Sequence, residues 1–450
     1  MNKISDDILY KVEKPARYIG GEFNSCIKDK NKVDIRYAFC FPDVYEVGMS
    51  HLGTRILYYT LNERKDTYCE RAFAPWPDME NLMRENNIPL YALETKDSLR
   101  EFDFLGFTLQ YEMSYTNILN MLDMAGIPVR ASERGEDYPI VVCGGPCAYN
   151  PEPLYDIADY FVIGEGEEIL DELLDLYKEY KGKGKKQYLR RIASIKGVYV
   201  PSLYETTYNE DGTIKEFKPL FEDVPEKVQK RIIRNLNNAP YPDKFIVPYT
   251  EIVHDRVVLE TFRGCTRGCR FCQAGMIYRP VREKTTEKLV QQTENLIRNT
   301  GYDEVSLTSL SICDYSDIQN LINTLIEKYK DEKVGISLPS LRVDSFSVDL
   351  IKEIQKVRKT GLTFAPEAGT QRMRDVINKG VTEQNLMDSS RSAFEAGWST
   401  IKLYFMLGLP YETMEDVKGI ADLAEKVVKQ YYSVPKDKRQ KRLTVTVSTA

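Results

Sequence analysis

The sequence predicts an α/β protein in two parts: a Rossmann-like doubly wound domain, then a (β/α)6 partial barrel of the TIM type. Three observations predict it. Apolar runs of strand length alternate with helical stretches through the first third of the chain. Several of those runs end in glycine loops, as parallel strands of doubly wound sheets do. The same alternation returns after residue 256 and supplies six more strands, in a chain of 450 residues that is long enough for two or three cores.

In the first part, Asp34–Phe41 reads as a strand stopped by Pro42. Ser50–Glu63 reads as a helix with Leu52, Ile56, Leu57 and Leu61 on its apolar face. Phe104–Leu109 is a second strand, followed by a helix over Tyr115–Met124. Ile140–Cys143 runs into Gly144-Gly145-Pro146, and Tyr160–Ile163 runs into Gly164-Glu-Gly166-Glu167 ahead of a helix over Glu168–Tyr177. Residues 1–180 are expected to form this domain. Residues 181–250 are expected to be a linker: a lysine- and glycine-rich solvated loop around 178–186, a hairpin with Asn209-Glu-Asp-Gly212 between Val198–Tyr204 and Thr213–Phe217, and a stretch marked by Pro240, Pro242 and Pro248.

The barrel is expected over residues 251–450. Its strands are Val257–Glu260, Glu304–Leu307, Val334–Leu338, Gly361–Ala365, Thr400–Tyr404 and Leu443–Val447. Helices over Thr286–Asn299, Ser316–Lys328, Val348–Val357, Glu383–Glu395 and Met414–Gln430 separate them. In such barrels the active site gathers at the C-terminal strand ends. The last strand ends near Ser448, two residues before the sequence does, so either a longer chain or a partner is expected to cover the open side.

Composition narrows the function. The net charge of -6 gives no polyanion-binding footprint, although a local patch for folded RNA stays open. The first residues lack a signal-peptide core and no run reaches transmembrane length, so no membrane is expected. Nine cysteines without a secreted disulfide pattern point to a reducing cytoplasm.

Three of those cysteines carry the chemistry. Arg263-Gly-Cys265-Thr-Arg-Gly-Cys269-Arg-Phe-Cys272 is a C-x3-C-x2-C loop directly after the first barrel strand. Three thiolates can hold three corners of a cubane iron–sulfur cluster, whose usual closed set is four cysteines. The fourth iron is then open, and an open position serves chemistry better than electron storage. Arg263, Arg267 and Arg270 offset the thiolate charge. The competing reading, a structural zinc completed by His254 or Cys313, has little to draw on, because the chain has two histidines and no second C-x-x-C pair.

With its aromatic Phe271 before the third cysteine, the triplet resembles the signature of the radical S-adenosylmethionine (SAM) superfamily. The resemblance implies a [4Fe–4S] cluster on Cys265, Cys269 and Cys272, with the amino and carboxylate groups of SAM on the fourth iron. One electron, from a donor such as flavodoxin or ferredoxin, would cleave SAM to a 5′-deoxyadenosyl radical. Further segments resemble the family's SAM-binding strand ends. Pro366-Glu367-Ala-Gly-Thr370 with Asn378-Lys-Gly380 places Glu367 near the ribose or amino group. Ser340-Leu-Arg342 places Arg342 near the carboxylate. Met406-Leu-Gly408-Leu-Pro-Tyr-Glu-Thr413 places Gly408 near the adenine, and Thr308-Ser309-Leu-Ser311 offers Ser309 and Ser311 to the amino group without the glycines that relatives carry there.

The first domain resembles the cobalamin-binding-like domain that precedes the barrel in one radical SAM subgroup. Gly144, Gly145, Gly164 and Gly166 would then let main chain approach a corrin. His51 lacks the Asp and the Gly spacing of the D-x-H-x-x-G cobalt-ligand motif and is not expected to bind cobalt. Two outcomes stay open: cobalamin-dependent methylation of an unactivated carbon, or a docking cover without corrinoid. The substrate is not readable, RNA being one class that some relatives suggest. The alternative from another class is an iron–sulfur or corrinoid regulatory module without turnover.

Overall fold

The structure is a computed structural model that describes residues 4–338, 362–436, 439 and 442–450. It divides into two compact units, residues 1–234 with 238–255 and residues 235–237 with 256–450.

The first unit is built on a six-stranded sheet. Its strands are β1 Ile35–Phe41, β2 Thr67–Phe73, β3 Phe104–Thr108, β4 Ile140–Gly144, β5 Tyr160–Val162 and β6 Val198–Tyr199, in the order β2-β1-β3-β4-β5-β6. The first five run parallel and β6 joins antiparallel at the edge. That is the flavodoxin-like order, whose ligand crevice lies at the carboxyl ends where the order reverses, between β1 and β3.

Strand β2 is the element the sequence pattern hides. Every residue of Thr-Tyr-Cys-Glu-Arg-Ala-Phe is buried, yet Glu70 and Arg71 break the apolar run. Burial of both charges requires partners. Arg71 donates to Glu22 Oε2 at 2.7 Å and to Glu94 Oε1 at 2.7 Å, while Glu70 accepts from Arg36 at 2.7 Å and from the Thr95 hydroxyl at 2.6 Å.

Three further details differ from expectation. The helix expected over 50–63 is two, Tyr45–Ser50 and Leu52–Glu63, broken at His51. The lysine-rich stretch ends one helix at Tyr180 and starts another, Lys185–Ile192, whose Tyr188, Leu189 and Ile192 enter the core. Residues 185–199 therefore belong to the first unit rather than to a linker. The hairpin turns at Asn209–Gly212 as expected and its second strand is β8 Ile214–Pro219, but its first strand is β7 Tyr204–Tyr208 rather than Val198–Tyr204. Among the described residues, no helix is long and apolar enough to cross a membrane.

The second unit supplies the barrel strands. β9 Val257–Glu260, β12 Glu304–Thr308 and β13 Gly335–Ser337 form one parallel sheet in the order β13-β12-β9. β14 Leu362–Glu367, β15 Thr400–Phe405 and β16 Thr444–Thr449 form another, in the order β14-β15-β16. Between β9 and β12, Phe262–Arg263 and Arg282–Glu283 pair as the short antiparallel strands β10 and β11, which close the base of the cysteine loop. Helices Thr286–Thr300, Ile318–Tyr329, Glu383–Glu395 and Met414–Ser433 fall where expected. The helix expected over Val348–Val357 lies outside the described residues.

Candidate active site

The cysteine loop leaves β9 at the carboxyl end of its sheet, where barrel sites gather. Gly264 and Gly268 shape it, with φ of 97° and 71°. A Cβ on Gly264 would stand 2.6 Å from the Pro280 carbonyl oxygen, so only glycine fits the close pass between the loop's two arms.

Two sulfurs already accept main-chain hydrogen bonds: Arg267 N–H to Cys265 Sγ at 3.5 Å and Gly275 N–H to Cys272 Sγ at 3.4 Å. Amide donors aimed at sulfur favour the thiolate, the form that binds iron. Among the described residues, no three His, Cys, Asp or Glu side chains gather as they would around one metal ion. Three cysteines on one loop supply three thiolates, each of which can take a separate iron of a cubane.

A second segment clamps the loop. The turn after helix Gln371–Val376 accepts the Arg270 N–H at Ile377 O (2.9 Å), and the Arg270 guanidinium bonds the carbonyls of Val376 and, at 3.4 Å, Asp375. Asn378 Nδ2 donates to Gly268 O at 2.9 Å. Arg267 is held from another side by Asp314, with Nε to Oδ2 at 2.9 Å.

Glu367 stands at the end of β14, where the pairing with β15 slips between Phe364 and Glu367. The irregularity re-aims the strand end, and Glu367 takes a left-handed φ of 69°, a strained setting for a residue with a side chain. Its carboxylate pairs with Lys379 Nζ at 2.9 Å, and the same ammonium lies 5.8 Å from the centre of the Phe271 ring. Lys379 thus stands between Glu367 and Phe271, the residue before Cys272.

The segment behind Glu367 is rigid. The buried Arg374 bonds the carbonyls of Ala368 (2.9 Å), Gly369 (3.3 Å) and Val381 (3.1 Å). A Cβ on Gly369 would come within 2.3 Å of the Ile420 nitrogen, so the main chain packs directly on helix Met414–Ser433. Asp416 on that helix takes hydrogen bonds from Thr370 and Thr413, which hold its carboxyl well below the usual carboxylate range despite some desolvation.

Ser309 and Ser311 follow β12. Both hydroxyl oxygens are buried without a hydrogen-bond partner, a costly state for a polar atom unless a ligand completes it. Gly408, at φ 79°, donates its N–H to Glu412 at 2.7 Å in the turn after β15. Arg342 lies outside the described residues.

In the first unit, the four glycines differ in what surrounds them. A Cβ on Gly164 would meet the Arg231 carbonyl oxygen at 2.2 Å, because the 231 segment bridges to Gly164. Gly166 faces Leu57 at 3.3 Å. Gly164 thus lies against main chain, whereas Gly166 faces only side-chain ends, of which that of Leu57 is nearest. Gly144 has nothing nearer than 3.8 Å, and Gly145, just after β4, would bring a Cβ within 2.9 Å of the Leu109 carbonyl oxygen. His51 caps helix Leu52–Glu63, its Nδ1 accepting the Thr54 N–H at 3.1 Å. Burial pulls its pKa down to about 4.

Comparison with known proteins agrees with this geometry. Residues 53–201 match the model described as radical SAM proteins, N-terminal, and residues 259–424 match that of the radical SAM superfamily. An uncharacterized protein of Methanocaldococcus jannaschii is 29% identical over 400 residues, covering 88% of this chain and 75% of its own length. Among solved structures, the cobalamin-dependent SAM radical enzyme OxsB, with aqua-cobalamin and SAM bound, superposes with a TM-score of 0.60 at 15% identity, over 91% of this chain but 53% of its own. The radical SAM methyltransferase TsrM of Kitasatospora setae, with cobalamin and a [4Fe–4S] cluster bound, gives 0.58 at 14% identity over 93% and 72%. The two family matches, over residues 53–201 and 259–424, together with the cysteine loop show that the chain belongs to the radical SAM superfamily.

Proposed function

We propose that this enzyme is a corrinoid-dependent radical SAM methyltransferase acting on an unactivated carbon. The observation that supports it most is the pairing of two features in one chain: a three-cysteine loop that leaves one iron open, and a preceding sheet of flavodoxin-like order with Gly144 and Gly145 at its carboxyl edge. When bound, a [4Fe–4S] cluster with SAM would supply a 5′-deoxyadenosyl radical able to remove hydrogen from a C–H bond, and a methylated corrinoid would supply the methyl group.

The chain's own residues hold and orient these groups. Cys265, Cys269 and Cys272 would hold three irons, and the Arg267 and Gly275 amides donate to the Cys265 and Cys272 sulfurs. Ser309 and Ser311 offer their unpaired hydroxyls to bound SAM. Glu367 and Arg342 are assigned to its amino acid and ribose end, Gly408 to the adenine and Phe271 to the cluster's flank. Electrons come from a low-potential one-electron donor of the flavodoxin or ferredoxin kind. An oxygen-sensitive cluster supports a reducing, cytoplasmic setting. If the substrate is RNA, a local patch must bind it, because the net charge of -6 gives no general attraction.

The test is anaerobic reconstitution with iron and sulfide, followed by SAM and dithionite. 5′-Deoxyadenosine is the expected product, and a loaded cluster that never cleaves SAM would refute turnover. In parallel, hydroxocobalamin is added and excess removed. A retained corrinoid spectrum supports methylation; its absence overturns the corrinoid part and leaves the SAM chemistry standing.

A further inference from the structure

We infer that the first unit carries a ligand site of its own: a cavity beside helix Leu52–Glu63 that takes a small organic carboxylate with a benzene-sized apolar body. The inference does not depend on the radical SAM reading. Three observations carry it.

First, the cavity has the size and surface of a small-molecule site. It holds about 130 Å³, and Met49, Tyr58, Phe245 and Ile246, all buried, form much of its wall. An apolar cavity of about 150 Å³ is enough to take up benzene. Small-molecule sites are mostly apolar clefts in which a few placed polar groups fix the ligand's orientation.

Second, the placed polar groups are mainly cationic. Among the described residues that line the cavity, Arg55, Arg71 and Lys244 stand against a single carboxylate, Glu63. Arg71 donates to Glu22 and Glu94 outside that lining, but its Nη1 also donates to Met49 Sδ at 3.1 Å. A thioether sulfur is a weak acceptor. A ligand carboxylate is a far stronger one, and an unbranched methionine side chain is flexible enough to yield it the place. Arg55 donates from Nε to the Met49 carbonyl at 2.8 Å, so both guanidinium groups converge on one residue. Arg55 also lies 4.7 Å from the centre of the Phe245 ring. That contact orients its planar fork, the geometry that suits the two oxygens of a carboxylate.

Third, the walls come from three distant segments that are tied to one another. Asn24 Nδ2 donates to Phe245 O at 2.9 Å, Phe23 pairs with Val247 in an antiparallel bridge, and the Tyr249 hydroxyl donates to Gly21 O at 2.5 Å. The Cys26 N–H donates to the Tyr58 hydroxyl at 2.8 Å and joins the same segment to the helix. A preformed site loses little conformational entropy when it is filled.

The experiment titrates the full chain with benzoate, benzyl alcohol and benzylamine at neutral pH by isothermal calorimetry. Benzoate should bind once per chain and about tenfold or more tightly than benzyl alcohol, whose neutral hydroxyl makes no paired charge-assisted bonds with arginine. Benzylamine, a cation, should not bind. Amide hydrogen exchange of residues 24–26 and 244–247 should slow when benzoate is present. Arg55→Met should bring benzoate to within a few-fold of benzyl alcohol. Cys26→Phe, placed at the half-buried wall, should fill the space and abolish binding of both. Thermal unfolding reports whether each variant folds; should Arg55→Met not fold, the wild-type probe series and Cys26→Phe decide. The inference is overturned if benzoate shows no saturable binding, if benzyl alcohol or benzylamine binds as tightly, if the exchange protection falls only on other residues, or if either folded variant binds benzoate as wild type does.

Discussion

Replacing Asn378 tests whether the clamp on the cysteine loop is what makes it ready for a cluster. Asn378 has a left-handed φ of 52° and donates to Gly268 O at 2.9 Å. Asparagine tolerates that conformation; alanine does not, at a cost of about 1–2 kcal/mol. Losing the side-chain hydrogen bond adds about 0.5–1.5 kcal/mol. Asn378→Ala should therefore disfavour the clamped loop by about 1.5–3.5 kcal/mol, roughly tenfold to three-hundredfold in population. The bond is open to solvent, so the lower half of that range is expected. Asn378→Gly keeps the backbone geometry and loses only the bond, roughly two- to tenfold. The assay is the rate at which an iron chelator bleaches the reconstituted cluster, with thermal unfolding followed in parallel to show an intact fold. Alanine should lose its cluster faster than glycine, and glycine faster than wild type. Wild-type rates in both variants, or a glycine variant that bleaches as fast as alanine, would refute the reasoning.

Cys265→Ala, Cys269→Ala and Cys272→Ala should each lower bound iron and 5′-deoxyadenosine production to the level of cluster-free protein, whereas Cys313→Ala should load and turn over as wild type does; iron analysis and product chromatography read both. Arg71→Met leaves Glu22 and Glu94 buried without their cation and should cost about 3–5 kcal/mol in urea unfolding at neutral pH. Burial raises the Glu22 carboxyl, but the Arg71 charge and hydrogen bonds outweigh it and hold the group below its ordinary value. The stability this brings is present above the unfolded value of about 4.3 and is lost as pH falls through the lower folded value. The deficit of Arg71→Met should thus narrow as acid protonates the stranded carboxylates, and a pH-independent deficit would contradict this account. His51→Ala removes a helix cap and should cost about 1 kcal/mol, with corrinoid retention unchanged; loss of corrinoid would make His51 a ligand after all.

The two halves of the fold were legible in the sequence to different degrees. The barrel strands and four of its helices follow simple period-2 and period-3.6 patterns, because each faces one core. β2 was missed because pattern reading treats Glu70 and Arg71 as solvent-facing, and only Arg36, Thr95, Glu22 and Glu94, brought from distant positions, make their burial affordable. β6 was read as hairpin because Val198-Tyr199 is too short to declare a partner; its pairing with Phe161 and Val162 is tertiary.

The same division holds at the site. Cysteine identity and spacing, with Phe271 beside the third cysteine, determined the cluster loop from sequence alone, since one loop carries all three ligands. What only the tertiary structure decided is how that loop is held and what stands next to it. The Asn378 clamp crosses 110 positions of sequence, and the Glu367–Lys379 pair depends on a slipped strand register and a left-handed backbone. Gly164, which on paper resembles Gly145, is filled by the main chain of Arg231. Local spacing specifies ligands that lie on one loop. Contacts between segments far apart in the chain depend on packing, and packing is not written in any one segment.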